Sequence, residues 1–210
     1  MPYWAPPLVA LNTSRPRPLW GHGSRPKSVE RLAPARRRRL LASLKGRKRR
    51  KEGIMAREPV AGAKAPAFTL PLDGGATVSL KDFMGRNLVL YFYPKADTPG
   101  CTREAIAFSK LRAAFSKAGT DILGVSADSV AAQNKFKIKH KLKIPLASDE
   151  TKKMLTAYGA WGEKSLYGRK FMGVVRKTFL IDGEGRIVRV WAKVKVDGHA
   201  QEVLEAARTL

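Results

Sequence analysis

An uninterrupted apolar run is followed along this chain by apolar residues at helical spacing. Residues 87–93 read Asn-Leu-Val-Leu-Tyr-Phe-Tyr, a run typical of a strand that is covered on both faces. Residues 101–118 carry one apolar face at helical spacing, which predicts an amphipathic helix. That face consists of Ala105, Phe108, Leu111, Ala114 and Phe115. The sequence therefore predicts a buried strand, a loop and a helix in succession.

Shorter patterns predict the remaining elements. Asp73-Gly74-Gly75 lies between two strand-forming segments and indicates a hairpin. In chain order we then expect a strand over 121–127, a helix capped by Ser129, a short strand over 144–147, a helix capped by Asp149 or Thr151 that ends at Tyr158, a hairpin of 174–181 with 186–194, and a last helix from about Gly198. This alternation predicts an α/β fold, a mixed central sheet with helices on both faces.

The only cysteine of the 210 residues, Cys101, lies where the predicted helix begins. The first turn of a helix has unpaired N–H groups and the positive end of the helix dipole, and both favour a thiolate. Since the thiolate is the nucleophilic form, Cys101 is a candidate nucleophile. A single cysteine excludes an intramolecular disulfide and a cysteine-cluster metal site, and it suits a reducing compartment.

The charge of the chain is unevenly distributed. Residues 1–54 contain 15 Lys and Arg against 2 Asp and Glu, whereas residues 55–210 contain 26 against 15. The first segment is also rich in proline, and we expect it to be disordered. From Met55 onward the sequence reads like the opening of one compact domain, so we divide the chain into a basic extension, 1–54, and a domain, 55–210.

Three explanations remain open for residues 1–54. The segment is an organellar transit peptide, since it is Arg-rich and acid-poor, or a tail that binds nucleic acid or a membrane surface. Alternatively the start codon is assigned too far upstream, because Lys51-Glu52-Gly53 can be encoded by a ribosome-binding sequence just before Met55. N-terminal sequencing of the native protein separates the third explanation from the others.

Residues 94–101, Pro-Lys-Ala-Asp-Thr-Pro-Gly-Cys, contain the P-x-x-x-T-x-x-C pattern of peroxiredoxins. The longer stretch YFYPKADTPGCTREA resembles the thiol peroxidases called bacterioferritin comigratory protein or peroxiredoxin Q. The resemblance extends over roughly residues 58–208 and includes YGAWGEKSLYGRKFMG and RKTFLID. It implies a thioredoxin-like fold in its peroxiredoxin variant, and no metal, haem or flavin cofactor. The chemistry it implies is the reduction of hydrogen peroxide and organic hydroperoxides.

The resemblance assigns a role to four residues. Cys101 attacks the peroxide, and the hydroxyl of Thr98 lies against the thiolate and the peroxide. Pro94 forms a wall of the pocket, and Arg176 matches the distant arginine of the family on a neighbouring strand. Its guanidinium favours the thiolate and holds a peroxide oxygen. The N–H groups of Gly100 and Cys101 complete the site.

Other residues have simpler explanations. Glu104 occupies the acidic position of the family's C-T-x-E, and we interpret it as a first-turn acid that stabilises the helix dipole, outside the site. Trp161, Tyr167 and Phe171 either edge the pocket or pack in the core. His22, His140 and His199 lie far apart without ligand spacing, so we interpret them as structural or exposed residues.

One departure from the family pattern changes the expected cycle. Many relatives have a resolving cysteine five residues after the first, where this chain has Ile106. A sulfenic acid at Cys101 therefore needs a second thiol from outside: thioredoxin, glutaredoxin or a small thiol. We expect a one-cysteine enzyme that is a monomer and has neither a membrane nor a nucleic acid as partner. We also expect it to be cytoplasmic, or organellar if residues 1–54 are a transit peptide.

Two rival functions are left for experiment. A thioredoxin-like disulfide exchange protein is disfavoured by the missing second cysteine. A nucleic-acid-binding protein acting through residues 1–54 would lose affinity steeply with salt and entirely on deletion to Met55.

Overall fold

The central strand of the fold is the apolar run that the sequence predicts to be covered on both faces. The computed structural model describes residues 58–166 and 169–210, so the predictions for residues 1–54, including His22, and for Tyr167 lie outside it. The elements are, in chain order, β1 (Thr69–Pro71), β2 (Thr77–Ser79), a 3-10 helix (Leu80–Phe83), β3 (Asn87–Phe92), α1 (Pro99–Lys117), β4 (Thr120–Ser126), α2 (Val130–Lys139), β5 (Leu146–Ser148), α3 (Lys153–Ala157), β6 (Trp161–Leu166), β7 (Arg169–Val174), β8 (Lys177–Ile181), β9 (Ile187–Trp191) and α4 (His199–Ala207).

Five strands form the main sheet in the order β5-β4-β3-β8-β9. Strands β3, β4 and β5 run parallel, whereas β8 is antiparallel to both β3 and β9. Residues Leu88 to Phe92 of β3 are completely buried. The mixed sheet predicted from the sequence is confirmed.

The sheet separates two apolar clusters. Because side chains alternate along a strand, Val89 and Tyr91 of β3 point into a cluster with α1 and α4, whereas Leu88 and Leu90 point into the other. We call these sides the cysteine face, since Cys101 belongs to its cluster, and the opposite face. The opposite face is covered by the β1–β2 hairpin and α3. Helices therefore pack on both faces, as predicted.

The sequence analysis missed the hairpin of β6 and β7. Our prediction of one strand over 174–181 is wrong in its first part, because Val174 ends β7 and pairs with Trp161, and β8 begins at Lys177. This hairpin combines adjacent charged residues with exposed apolar ones, Phe171 and Met172, and lacks a buried apolar run, so its periodicity is weak. Arg176 consequently lies in the connection between β7 and β8 rather than in a strand.

The predicted helix caps have different outcomes. Ser129 caps α2, since its Oγ accepts a hydrogen bond from the N–H of Ala132 at 3.3 Å. The helix expected to begin after Asp149 or Thr151 begins later, after Lys152, which has a φ of 60°. Asp149 still stabilises it, because its carboxylate accepts the N–H of Leu155 at 2.8 Å.

Among the helices of the described residues, none is long and apolar enough to cross a membrane.

Gly124 of β4 is required by the ring of Tyr91 on the neighbouring strand. A Cβ atom added at Gly124 would lie 2.6 Å from both Cζ and Oη of Tyr91, and 2.9 Å from Cδ2 of Leu146. These distances are shorter than a carbon contact allows. The absence of a side chain at Gly124 therefore leaves room for the Tyr91 ring on the cysteine face.

We predict that Gly124→Ala lowers the free energy of unfolding by about 1–3 kcal/mol, because the methyl group overpacks this layer. Urea unfolding measures the change. Gly162→Ala is the matched control: its added Cβ would lie 3.7 Å from Cγ2 of Val175, an ordinary contact. Equal stability changes in the two variants would contradict the assignment.

Candidate active site

Cys101 lies in the first turn of α1, behind the loop that connects this helix to β3. Thr98 is the N-cap residue and Pro99 opens the helix, a position that suits the fixed φ of proline and its missing N–H. The N–H of Thr102 donates to the carbonyl of Thr98 at 2.8 Å and closes the first turn. The N–H groups of Gly100 and Cys101 precede this bond, so they have no carbonyl within the helix to pair with. Cys101 is only 2% exposed.

Arg176 links Cys101 to Glu104. Its Nη2 donates a hydrogen bond to Sγ of Cys101 at 3.3 Å, and its Nη1 donates to the Glu104 carboxylate. The Arg176 side chain is 15% exposed. A permanently charged, mostly desolvated guanidinium beside the sulfur stabilises a thiolate. The structure thus brings the predicted Cys101 and Arg176 into direct contact, 75 residues apart in sequence.

Glu104 is the residue that the sequence analysis assigned wrongly. It is 1% exposed and paired with Arg176, and it lies outside the first turn of α1. The interpretation of Glu104 as a first-turn dipole acid outside the site is therefore wrong. Burial raises the pKa of its carboxyl to about 7, although the adjacent Arg176 acts in the opposite direction. Its spacing of three residues from Cys101 was the available signal, because residues at i and i+3 share one helix face.

Pro94 precedes the active-site loop, which we define as residues 95–98, and Thr98 is its last residue. The hydroxyl of Thr98 donates to the carbonyl of Lys95 at 3.0 Å, which leaves its oxygen lone pairs as acceptors. Pro94 follows β3 directly, and its side chain is partly buried. Both residues precede Cys101 on the same connection, as the motif spacing requires.

The active-site loop is fastened to the body of the domain at two points. The N–H of Ala96 donates to the Asp128 carboxylate at 2.7 Å. Asp97, with a φ of 60°, accepts hydrogen bonds from Lys139 and His140, each at 2.6 Å. These bonds lower the pKa of Asp97. Together the contacts hold the segment before Cys101 in one conformation.

A layer of aromatic side chains lies beneath the site. The Tyr91 ring stacks on Phe108 with centroids 4.7 Å apart and on Tyr93 at 5.6 Å. Burial raises the pKa of Tyr91 well above its ordinary value. Within the part of the chain that is described, neither the Tyr91 hydroxyl nor Oε1 of Glu104 has a hydrogen-bond partner. The floor of the site is therefore mainly aromatic, with two buried polar atoms in it.

The other candidates of the sequence analysis lie as follows. Trp161 packs partly against the opposite-face cluster, with Lys152 Nζ 4.9 Å from its ring centroid, and Phe171 is 45% exposed. His199 is buried with its Nε2 2.8 Å from Oγ1 of Thr178, and burial lowers its pKa to about 4. The described residues contain no group of three or more His, Cys, Asp or Glu that could hold a metal ion.

The raised pKa of Glu104 predicts how stability depends on pH. The unfolded chain releases this proton near the ordinary value of 4.5, whereas the native protein holds it up to about pH 7. In this window the native state binds more protons, so the free energy of unfolding falls as pH rises, by about 3 kcal/mol in all.

The variant Glu104→Gln has no titrating proton at this position. Its free energy of unfolding therefore does not show the part of the fall with rising pH that comes from Glu104. Urea unfolding of both proteins across the window measures the difference. If the two stability curves run parallel from pH 4.5 to about 7, Glu104 is not the buried acid described here.

Comparisons with known proteins show which family the chain belongs to. The sequence model of the AhpC/TSA family matches residues 61–190. A putative peroxiredoxin bcp of Coxiella burnetii is 51% identical over 143 residues, which cover 68% of this chain and 95% of that protein. Peroxiredoxin Bcp of Bacillus subtilis is 44% identical over 149 residues, which cover 71% of this chain and 95% of that protein.

A solved structure of Xanthomonas campestris peroxiredoxin Q superposes with a TM-score of 0.66 at 42% identity, covering 73% of this chain and 97% of that one. The thioredoxin-like fold expected from the sequence is thereby confirmed. The chain belongs to the AhpC/TSA family, and within it to the peroxiredoxins of the Bcp or peroxiredoxin Q kind.

Proposed function

We propose that Cys101 is the residue through which this thiol peroxidase reduces hydrogen peroxide and organic hydroperoxides. The hydrogen bond from Arg176 to Sγ, at the N-terminal turn of α1, is the observation that carries the proposal. Organic substrates are included because the bacterioferritin comigratory protein of Xanthomonas campestris, 42% identical to this chain, has alkyl peroxide reduction activity.

The reaction follows from the groups around the sulfur. The thiolate of Cys101 attacks one peroxide oxygen in line with the O–O bond, and that bond breaks as the S–O bond forms. The departing oxygen takes the electron pair and the proton of the peroxide, and it leaves as water or an alcohol. Arg176 and the N–H groups of Gly100 and Cys101 stabilise the negative charge that develops on the oxygens. Cys101 ends as a sulfenate, which takes up a proton from solvent to become a sulfenic acid.

Thr98 and Pro94 act on the peroxide and on water. Because the Thr98 hydroxyl donates to Lys95, its oxygen is free to accept the hydrogen bond of the peroxide O–H and orient it. Pro94 has no N–H to compete for the thiolate, and its ring keeps water from the sulfur. The desolvated sulfur is then paired only with protein donors, which strengthens each electrostatic contact.

An external thiol must return Cys101 to its reduced form. Ile106, partly buried against the cysteine-face cluster, occupies the position of the resolving cysteine in many relatives. We propose that thioredoxin supplies the thiol through a mixed disulfide. Since Cys101 is 2% exposed, the first turn of α1 has to move before a protein thiol reaches it.

The remaining proposals concern the context of the reaction. We propose that residues 55–210 form the catalytic domain, which agrees with the family match over residues 61–190, and that the enzyme acts as a monomer. We also propose a cytoplasmic location, because a single cysteine that depends on external thiols suits a reducing compartment.

We predict peroxide consumption with thioredoxin, thioredoxin reductase and NADPH, and none with Cys101→Ser, since the variant lacks the nucleophile. The oxidation of NADPH measures turnover. If Cys101 is oxidised by one equivalent of peroxide without turnover, the peroxidase chemistry stands and thioredoxin is the wrong reductant. If peroxide does not oxidise Cys101, the proposed function is wrong.

Arg176→Gln should slow the oxidation of Cys101 by hydrogen peroxide about 10²–10³-fold, because it removes the charged donor beside the sulfur. Stopped-flow measurement under pseudo-first-order conditions gives the rate constant. Arg186→Gln is the control: that side chain lies in the turn between β8 and β9 and is 52% exposed. A rate constant that is similar in both variants would contradict the role of Arg176.

A further inference from the structure

A groove lined by cations lies between α1 and the segment that follows α2. We call it the basic groove; it is lined by Ile106, Ser109, Lys110, His140, Lys141, Leu142 and Lys143. Its two walls are joined by a hydrogen bond from the N–H of Lys143 to Oγ of Ser109, 2.7 Å long. The groove is therefore part of the folded body.

The lysines of the basic groove have no acidic partner in the described residues. The side chains of Lys137 and Lys139 pair with Asp73 and Asp97. Lys110, Lys141 and Lys143 are exposed. None of them forms an ion pair within residues 58–166 and 169–210. Three unpaired positive charges around an apolar floor of Ile106 and Leu142 favour an acidic partner.

The position of the groove connects it to the reaction. Ile106 lies five residues after Cys101 on α1, or about 7–8 Å along the helix axis. His140 contributes to the groove and also binds Asp97 of the active-site loop. A protein bound in the groove therefore contacts the helix that carries Cys101 and the histidine that binds the active-site loop.

We propose that the basic groove is the docking surface for an acidic protein dithiol that reduces Cys101. The proposal rests on the proposed function, because only a cysteine oxidised by peroxide needs this partner. Charge complementarity selects an acidic protein, and it disfavours the chain's own residues 1–54, whose 15 basic residues would be repelled. The apolar floor offers a small contact area that a rigid protein surface can cover.

Docking in the basic groove serves the reduction of the Cys101 sulfenic acid by the two thiols of the partner. One thiol of the partner gives up its proton and attacks the sulfur of the Cys101 sulfenic acid; a mixed disulfide forms, and the hydroxyl group leaves with that proton as water. The second thiolate of the partner attacks its own sulfur in that disulfide and releases Cys101 as a thiolate. Cys101 is thereby reduced by two electrons and the dithiol is oxidised to a disulfide.

The test is the triple variant Lys110→Glu, Lys141→Glu and Lys143→Glu, assayed with an acidic thioredoxin, its reductase and NADPH. We expect the KM for thioredoxin to rise at least about tenfold. The KM should also depend less on salt concentration, since charges at the rim of an interface govern the association of two proteins. Turnover with dithiothreitol, a small uncharged dithiol, and the oxidation of Cys101 by peroxide should both stay within about twofold of the unsubstituted chain.

A matched control carries the same change in net charge on the other side of the sheet. Lys64→Glu, Lys81→Glu and Lys153→Glu alter exposed residues next to elements of the opposite face. Their KM for thioredoxin should not change. An equal rise of KM in both triple variants, or no rise in the groove variant, overturns the proposal.

The outcomes also separate this proposal from the proposed function. If the unsubstituted chain turns over with dithiothreitol or glutathione but not with thioredoxin, the docking proposal is wrong and the peroxidase assignment stands. If peroxide fails to oxidise Cys101 in the unsubstituted chain, the proposed function itself fails. If glutathione turnover alone falls in the groove variant, the groove serves a small anionic thiol and the protein-docking proposal is overturned.

Discussion

The active site depends on one side chain, the guanidinium of Arg176, which donates to both the Cys101 sulfur and the Glu104 carboxylate. Both bonds would be weak at the protein surface, where water screens charges. Here the sulfur is 2% exposed and the carboxylate 1% exposed, so the cation has few other partners and its position is fixed. The same burial raises the pKa of Glu104 to about 7. Burial of Glu104 thus lowers the free energy of unfolding at neutral pH, while the same ion pair holds the donor of Arg176 beside the Cys101 sulfur.

The fold supplies what this contact requires. Strand β3 delivers the active-site loop at its carboxyl end, and β8 lies antiparallel beside β3, so the connection before β8 passes near the first turn of α1. The loop is fastened through Ala96 to Asp128 and through Asp97 to Lys139 and His140. The sulfur is therefore positioned by several weak contacts.

Local patterns were enough to single out Cys101 as the candidate nucleophile, but not the residues that contact it. Cys101 was identified from an apolar strand, a turn and a helix start, all of which are local. Arg176 was assigned only through family resemblance, because nothing around it in sequence indicates that it returns to the helix 75 residues earlier. Glu104 was misassigned because the predicted helix begins at residue 101, which puts Glu104 in the first turn, whereas the helix begins at Pro99 and tertiary packing buries the carboxylate against Arg176. The β6–β7 hairpin was missed because its strands combine charged and exposed apolar residues and give no apolar periodicity.

The proposed site acts on the peroxide itself: Arg176 and the N–H groups of Gly100 and Cys101 stabilise the negative charge that develops on its oxygens as the O–O bond breaks. The most direct test compares two reactions of Cys101, with hydrogen peroxide and with an alkylating agent such as chloroacetamide, against the same two reactions of free cysteine at the same pH. Both reactions need a thiolate, but only the first places charge on oxygens near Arg176. The account predicts a peroxide-to-alkylation rate ratio at least about 10²–10³ times that of free cysteine. A ratio equal to that of free cysteine would contradict it.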